Sequence, residues 1–148
     1  YKNLSGIITE TEAYEDDEAS HAFTRTERSK LMHDSYGIFY IYFVYGNHYC
    51  LNITTDESGP GAVLIRSLKP VNGISLMKKR RNCNDIKNLL NGPGKICQAF
   101  EIDKKLNGSS INERIKVIDN SLKFKIEKGG RIGIKKAVDL KWRFFVKE

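Results

Sequence analysis

Residues 8–14 read Ile8-Thr9-Glu10-Thr11-Glu12-Ala13-Tyr14, and this stretch decides how the chain is folded and where its chemistry lies. It predicts a β-strand, in which successive side chains point to opposite faces. The face that carries the acids would hold Ile8, Glu10, Glu12 and Tyr14. An unpaired carboxylate is costly to remove from water, so these glutamates must reach solvent, pair with a cation or line a cleft. The stretch alone leaves two interpretations open, a solvent-facing edge and a functional cleft.

Strand patterns recur along the chain and outnumber helical ones. The aromatic, β-branched run 36–45 predicts a strand, Gly46-Asn47 is typical of a turn, and 48–54 would complete a hairpin. The other predicted elements are a short helix within 15–23, a loop over 24–35, a strand over 62–68, helices from Asn72 to Arg81 and over 95–100, and short strands over 116–119, 122–127 and 142–146. We therefore predict an α+β fold, a single domain over 1–148 with a mainly antiparallel sheet, a protruding hairpin and surrounding helices.

Charge is distributed unevenly along the 148 residues, whose formal net charge is +7. Residues 1–73 hold 6 Lys and Arg against 10 Asp and Glu, whereas residues 74–148 hold 19 against 8. Basic runs such as 78–81 could contact phosphates, or could simply be a solvated surface. No stretch approaches the length of a membrane span. Three widely spaced cysteines favour a reducing cytosol over disulfides or a zinc site.

Arg66 breaks the pattern of its strand. If the strand alternates regularly, Leu64, Arg66 and Leu68 share a face, so the guanidinium lies between two leucines. A buried guanidinium cannot lose its proton and needs an anionic partner, for which Glu10 and Glu12 are the candidates. The alternative is an arginine that reaches solvent at the edge of the sheet.

The hairpin also carries polar side chains at unusual places. Asn52, on the face shared with Cys50, could bind the edge of a polar ligand or tie down a neighbouring turn. Tyr45 lies beside the Gly46 turn, where an exposed ring could stack on a base or wedge between bases. Most aromatic residues on strands are core residues. We expect this for Phe39, Phe43 and Tyr40.

Seven stretches, in order along the chain, resemble the alkyladenine (3-methyladenine) DNA glycosylase family. They are ETEAY (10–14), DEASHA (17–22), YIYFVYG (40–46), HYCLNI (48–53), AVLIRSLKP (62–70), NGPGKICQAF (91–100) and RIGIKKAVDLKWRFF (131–145). Members of this family begin before the first strand and continue past Arg143-Phe144-Phe145. The resemblance therefore implies that an N-terminal segment and a short C-terminal tail are absent from this sequence. It also shows one departure, since Asn47 stands where the family usually has Met.

The resemblance implies a role for each residue singled out above. Glu12 would be the general base that activates water, with Arg66 holding both the water and the carboxylate. Tyr45 would be the wedge that fills the gap left by an extruded nucleotide. The walls of the base pocket would be Tyr14, His21 and Tyr42, and Asn52 would complete the pocket at the place where the family crowds the exocyclic amine of guanine.

The implied activity is base-excision repair. The enzyme would flip an alkylated or deaminated purine of the 3-methyladenine, 7-methylguanine or hypoxanthine type and hydrolyse its N-glycosidic bond, without cofactor or metal. Its partner would be double-stranded DNA with a damaged purine, bound by a monomer in the bacterial cytosol, away from membranes. The alternatives are a catalytically silent nucleic-acid-binding module and a small-molecule hydrolase that uses Glu10 and Glu12.

Overall fold

A computed structural model describes residues 1–44, 46–55 and 59–147. Its six strands form one antiparallel sheet in the order β2-β3-β4-β1-β6-β5. The strands are β1 (Ser5–Tyr14), β2 (Tyr36–Val44), β3 (His48–Thr55), β4 (Ala62–Asn72), β5 (Ile126–Gly129) and β6 (Arg143–Val146). The helices are α1 (Lys30–Asp34), α2 (Ile74–Arg81) and α3 (Pro93–Phe100), and 3₁₀ turns span His21–Phe23 and Lys104–Leu106. The predicted α+β class is confirmed.

The main hydrophobic core lies on one face of the sheet. Alternate residues of the hairpin strands, such as Phe39 on β2 and Leu51 on β3, pack there against α2 and α3. At most 1% of the surface of Met77 in α2 and of Ile96 in α3 is exposed to solvent. Each large apolar side chain buried in this way contributes about 1.5–3 kcal/mol to folding. The helices thus cover this face and leave the other free for a site.

The opposite face carries polar and aromatic side chains. Tyr40, which follows Phe39 on β2, points there and packs in a second cluster with Ala22, Met32 and Ala62. The elements over this face are short: the five-residue α1 and the 3₁₀ turn His21–Phe23. Because none of the described residues forms a long helix over it, this face has room for a pocket.

The register between β1 and β4 shifts three times, between Ser5 and Gly6, between Ile8 and Glu10 and between Glu10 and Thr11. A β-bulge of this kind breaks the strict alternation of faces. Ile8 and Leu68 consequently line an apolar groove on the helix side of the sheet, with Ile65. The prediction that Ile8 shares the face of Glu12 and the prediction that Leu68 shares the face of Arg66 are therefore wrong.

The predictions for 15–35 are only partly confirmed. The helix predicted within 15–23 is limited to the 3₁₀ turn His21–Phe23, and residues 15–20 form no helix, because Asp17 Oδ1 accepts a hydrogen bond from Ala19 N (3.0 Å) and Ser20 N donates to Asp17 O (2.8 Å). Such local bonds compete with helical ones. The predicted loop over 24–35 contains α1, which the apolar pattern does not show because only Met32 is buried in it.

The second half of the chain differs from prediction at other places. Helix α2 begins at Ile74 after Gly73, so Asn72 ends β4 and is not a cap. Residues 116–119 and 122–125 are not strands. Asn112 Oδ1 accepts from Val117 N (2.9 Å) and Asp119 Oδ1 from Ser121 N (2.8 Å), which takes up backbone donors that a strand would need.

The basic run 78–81 includes two arginines that are bound within the protein. Arg80 donates to Ala99 O (3.0 Å) and to Glu101 Oε2 (2.5 Å). Arg81 donates to Leu89 O (3.3 Å) and contacts Gln98. At these two positions the contacts favour a structural role over phosphate binding. None of the helices in the described residues is long and apolar enough to cross a membrane.

Candidate active site

A pocket of about 530 Å³ opens on the polar face of the sheet. Strands β1 to β4 form its floor, and the segment 132–134 crosses above one side. The side chains that line it and matter below are Tyr14, His21, Arg28, Tyr40, Tyr42, Asn52, Arg66 and Ile132. A volume of this size accommodates a small organic ligand such as a nucleobase. Four of the predicted site residues, Tyr14, His21, Tyr42 and Asn52, are thus brought together, and Arg66 joins them.

Glu12 lies immediately behind the wall of this pocket. It occupies the middle of β1, between Leu64 of β4 and Arg143 of β6, and is 0% exposed. Its Oε2 accepts a hydrogen bond from the Tyr14 hydroxyl (2.7 Å), and its Oε1 accepts one from the Ile132 backbone N–H (2.6 Å). Both donor residues line the pocket. The acid is therefore fixed by groups that themselves border the cavity.

Arg66 supplies the cation that the sequence requires for an inward-facing carboxylate. Its Nε lies 3.4 Å from Glu12 Oε1 and 3.2 Å from Glu10 Oε1, and its side chain is 15% exposed. Glu10 also contacts Arg143 Nη1 at 3.4 Å. The predicted pairing of Arg66 with the two glutamates is confirmed, and the alternative of an arginine that reaches solvent is wrong.

Tyr14 is held between two charged groups. Its hydroxyl donates to Glu12, and the Arg131 guanidinium carbon lies 4.7 Å from its ring centroid. Burial, followed by the hydrogen bond and charge of Glu12, raises the pKa of the Tyr14 phenol above its usual range. The phenol therefore stays protonated at neutral pH and acts as a donor to the carboxylate.

Three aromatic rings form one wall of the pocket. The His21 ring centroid lies 4.6 Å from that of Tyr42, edge to face, and His21 Nδ1 lies 2.9 Å from the Tyr40 hydroxyl. Burial, and then the nearby charge of Arg28, lower the pKa of His21. The imidazole is accordingly neutral at physiological pH. Tyr40 is buried in the core as expected, but its hydroxyl also orients His21, which the sequence did not reveal.

Asn52 is 3% exposed and lies on the pocket floor. Its Nδ2 donates to Tyr40 O (3.0 Å) and Cys50 O (3.5 Å). The amide therefore ties β2 to β3, which is the structural one of the two roles left open by the sequence. Its position in the lining keeps it available as a steric element of the pocket.

The hairpin tip differs in part from the sequence-based interpretation. Phe43, expected in the core, is 48% exposed and packs on Tyr49, with ring centroids 4.9 Å apart. Phe43 lies near the end of β2, beyond the elements that could cover its side chain. Tyr45, the predicted wedge, lies outside the described residues, so its role stays a prediction.

Sequence reasoning missed the segment that closes the pocket. Ile132 contributes a backbone N–H, a group that no side-chain pattern can indicate. The neighbouring Arg131 forms a two-pronged ion pair with Asp17, at 2.9 and 2.7 Å, in which the arginine side chain is 0% exposed. The two residues belong to segments without helix or strand periodicity. A possible signal was the glycine-rich context of Arg131, with Gly130 and Gly133.

The arrangement suits a carboxylate that acts as an acceptor. An ionised carboxylate can only accept hydrogen bonds, and the neighbours of Glu12 are a hydroxyl, a backbone N–H and a guanidinium, all donors. Aromatic walls next to such a group can hold a planar, apolar ring by stacking. The geometry is appropriate for activating a water molecule against a bound planar ligand.

Comparison with known proteins points in the same direction. The family model described as methylpurine-DNA glycosylase matches residues 1–148. The chain is 44% identical over 150 residues to a protein of Prosthecochloris aestuarii named "Putative 3-methyladenine DNA glycosylase", with 97% of this chain and 72% of the relative covered. Proteins of the same name from Clostridium novyi and Francisella tularensis are 39% and 40% identical, each covered over 81% of its length.

Proposed function

Because this chain belongs to the methylpurine-DNA glycosylase family, we propose that it excises alkylated or deaminated purines from double-stranded DNA. A DNA glycosylase hydrolyses the N-glycosyl bond between base and deoxyribose. The substrates proposed are bases of the 3-methyladenine, 7-methylguanine and hypoxanthine type. The observation that carries the proposal is the buried Glu12 carboxylate, held by two hydrogen bonds and an ion pair directly behind a pocket with aromatic walls.

The reaction begins with extrusion of the damaged nucleotide. Flipping costs a few kcal/mol, and least for a damaged or poorly paired base. Stacking on an aromatic side chain returns roughly 1–3 kcal/mol per base. Tyr14, His21 and Tyr42 supply such surfaces, and the neutral His21 adds no charge that would repel a cationic alkylated purine.

Glu12 then accepts a proton from the water whose oxygen bonds to the anomeric carbon, while the N-glycosyl bond breaks and its electron pair leaves with the base. The developing oxocarbenium charge on the sugar is stabilised by the same carboxylate. Its two hydrogen bonds and the ion pair with Arg66 fix the orientation of the carboxylate, so it does not have to be reorganised at the moment of reaction. Arg66 holds the carboxylate and lies in the pocket lining, where it can also bind the water.

For this step a water molecule must reach the Glu12 carboxylate behind the pocket wall. Glu12 has no accessible surface, whereas Tyr14, Arg66 and Ile132 all border the cavity. A small displacement of the 132–134 segment would admit one water molecule next to the carboxylate. The cations in the described lining are Arg28 and Arg66. Because a guanidinium forms no Schiff base, we propose a water nucleophile and a monofunctional enzyme.

The decisive experiment compares Glu12→Gln with Glu10→Gln. Both acids contact Arg66, but only Glu12 lies behind the aromatic pocket. Duplex oligonucleotides that carry hypoxanthine, 1,N6-ethenoadenine or 7-methylguanine are incubated with each protein, and abasic sites are cleaved by alkali and counted. Glu12→Gln should abolish base release and leave binding largely intact, whereas Glu10→Gln should retain excision.

The outcomes separate the alternatives. Equal excision by wild type and Glu12→Gln would refute the proposed mechanism. Salt-dependent binding to DNA without release of any of these bases by the wild type would favour the silent nucleic-acid-binding module. Single-turnover rates over the same lesions rank the substrates.

A further inference from the structure

The ion pair between Asp17 and Arg131 is the most deeply buried one that the described residues contain, with side chains 8% and 0% exposed. Arg131 Nη1 and Nη2 each donate to one oxygen of the Asp17 carboxylate, at 2.9 and 2.7 Å. Well-packed apolar residues usually stabilise a protein as much as a buried ion pair does. Stabilisation of the fold is therefore a weak explanation for the presence of this ion pair. The position of the pair gives a better explanation.

The arginine end fixes a backbone donor of the catalytic carboxylate. Arg131 Nη1 also donates to Ala13 O (3.1 Å), and the guanidinium carbon lies 4.7 Å from the ring centroid of Tyr14. The next residue, Ile132, is the one whose N–H donates to Glu12 at 2.6 Å. A rigid guanidinium that is bound to both β1 and Asp17 therefore determines where this N–H points.

The aspartate end fixes the turn that presents His21. Asp17 Oδ1 accepts from Ala19 N (3.0 Å), and Asp17 O accepts from Ser20 N (2.8 Å). Ser20 Oγ then accepts from Ala22 N (3.0 Å) and opens the 3₁₀ turn that begins at His21. One carboxylate thus joins the arginine to the aromatic wall of the pocket.

We infer that Asp17 and Arg131 are positioning residues for base excision, which set the Ile132 N–H against Glu12 and the His21 turn against the pocket. This inference rests on the proposed glycosylase activity. Neither side chain borders the cavity, so their effect passes through Ile132, Tyr14 and His21.

The chain offers a matched control that joins the same two segments. Lys136 Nζ lies 3.4 Å from Glu18 Oε2, with the side chains 65% and 59% exposed. This pair links neighbours of Asp17 and Arg131 but contacts no group of the site. Exposed pairs of this kind contribute little to stability.

The experiment compares Asp17→Asn and Arg131→Lys with the control Lys136→Gln. Single-turnover excision of hypoxanthine is measured with saturating enzyme, so that a smaller folded fraction does not lower the observed rate constant. We expect about a 10- to 100-fold loss for the first two variants, as for other displacements of catalytic groups. The control should excise at the wild-type rate. The dissociation constant for a duplex with an abasic-site analogue should change much less than the rate constant.

Hydrogen exchange of the Ile132 amide gives a readout that is independent of activity. In the wild type this amide should exchange as slowly as the amides of β1, and faster in Arg131→Lys. A wild-type rate constant in either folded variant would overturn the inference. So would a lowered rate constant with unchanged Ile132 protection, because the loss would then not pass through this N–H.

Two remaining outcomes are also decisive. If neither variant folds, hydrogen exchange of the Ile132 amide in the wild type is the deciding measurement. Rapid exchange of this amide would overturn the inference, and slow exchange would support it. If the wild type excises no base while Ile132 is protected, the proposed function fails and the placement of the amide stands.

Discussion

Replacement of Tyr14 by Phe tests whether the carboxylate behind the pocket is charged and depends on its donors. The phenol donates to Glu12 Oε2 at 2.7 Å, and Glu12 is 0% exposed, so water cannot take the place of the lost hydroxyl without rearrangement. A hydrogen bond to a charged group contributes about 1.5–3 kcal/mol, whereas a neutral bond contributes about 0.5–1.5 kcal/mol. Tyr14→Phe should therefore lower the free energy of unfolding by about 1.5–3 kcal/mol.

The same substitution in a Glu12→Gln background isolates the part that is due to charge. The amide keeps an acceptor but has no negative charge, so the cost should fall to about 0.5–1.5 kcal/mol. The coupling energy of this double-mutant cycle is then about 1 kcal/mol. Urea-induced unfolding at pH 7.5 gives all four stabilities, provided that the slopes agree.

Tyr36→Phe is the matched control, because Tyr36 is 62% exposed. It should change the free energy of unfolding by less than about 0.5 kcal/mol, as surface substitutions usually do. Equal costs of Tyr14→Phe in both backgrounds would refute the assignment of a charged Glu12. A cost as small as that of Tyr36→Phe would refute the hydrogen bond itself.

Two further predictions concern the segment above the pocket and its aromatic wall. Gly133 has φ +78°, and no atom lies within 4 Å of a Cβ added to it, so Gly133→Ala should lower the free energy of unfolding by about 1–2 kcal/mol through backbone strain alone. Thermal unfolding compares this variant with the control Gly130→Ala. Equal melting temperatures of the two variants would contradict the prediction. Burial and then Arg28 lower the pKa of His21, so the unfolded state binds a proton more readily and stability falls as pH drops below about 6.5. Arg28→Gln should raise the pH midpoint at which the His21 ring titrates by NMR, and should weaken the pH dependence of stability. Arg25→Gln, which changes an exposed arginine, should do neither. An unchanged His21 midpoint in Arg28→Gln would show that Arg28 does not act on His21.

Side-chain chemistry made part of the site predictable. A carboxylate and a guanidinium that both face inward require each other, so Arg66 and Glu12 could be paired across 54 positions of sequence. The base-pocket roles of Tyr42 and Asn52 come from the resemblance to the family, and the paired strands place both on one face of the hairpin with Tyr40. The pairing of Arg66 with Glu12 depends only on strand periodicity and on the cost of burying charge.

Other features depend on geometry that a single sequence does not encode locally. The bulge in β1 moved Ile8 away from Glu12, because one extra residue changes the face of everything before it. The contact between Asp17 and Arg131 spans 114 positions and joins two irregular segments. The predicted helix within 15–23 is limited to the 3₁₀ turn His21–Phe23 for a related reason, since the Asp17 carboxylate is used for a turn.

The ion pairs around Glu10 have an electrostatic consequence for a protein that must approach a polyanion. Glu10 and Glu12 lie against Arg66, and Arg143 lies on the other side of Glu10, so two acids and two guanidinium groups form a quartet without net charge. Phosphates of a bound duplex would meet a neutral cluster at this point. The catalytic role proposed for Glu12 is therefore compatible with the binding of DNA.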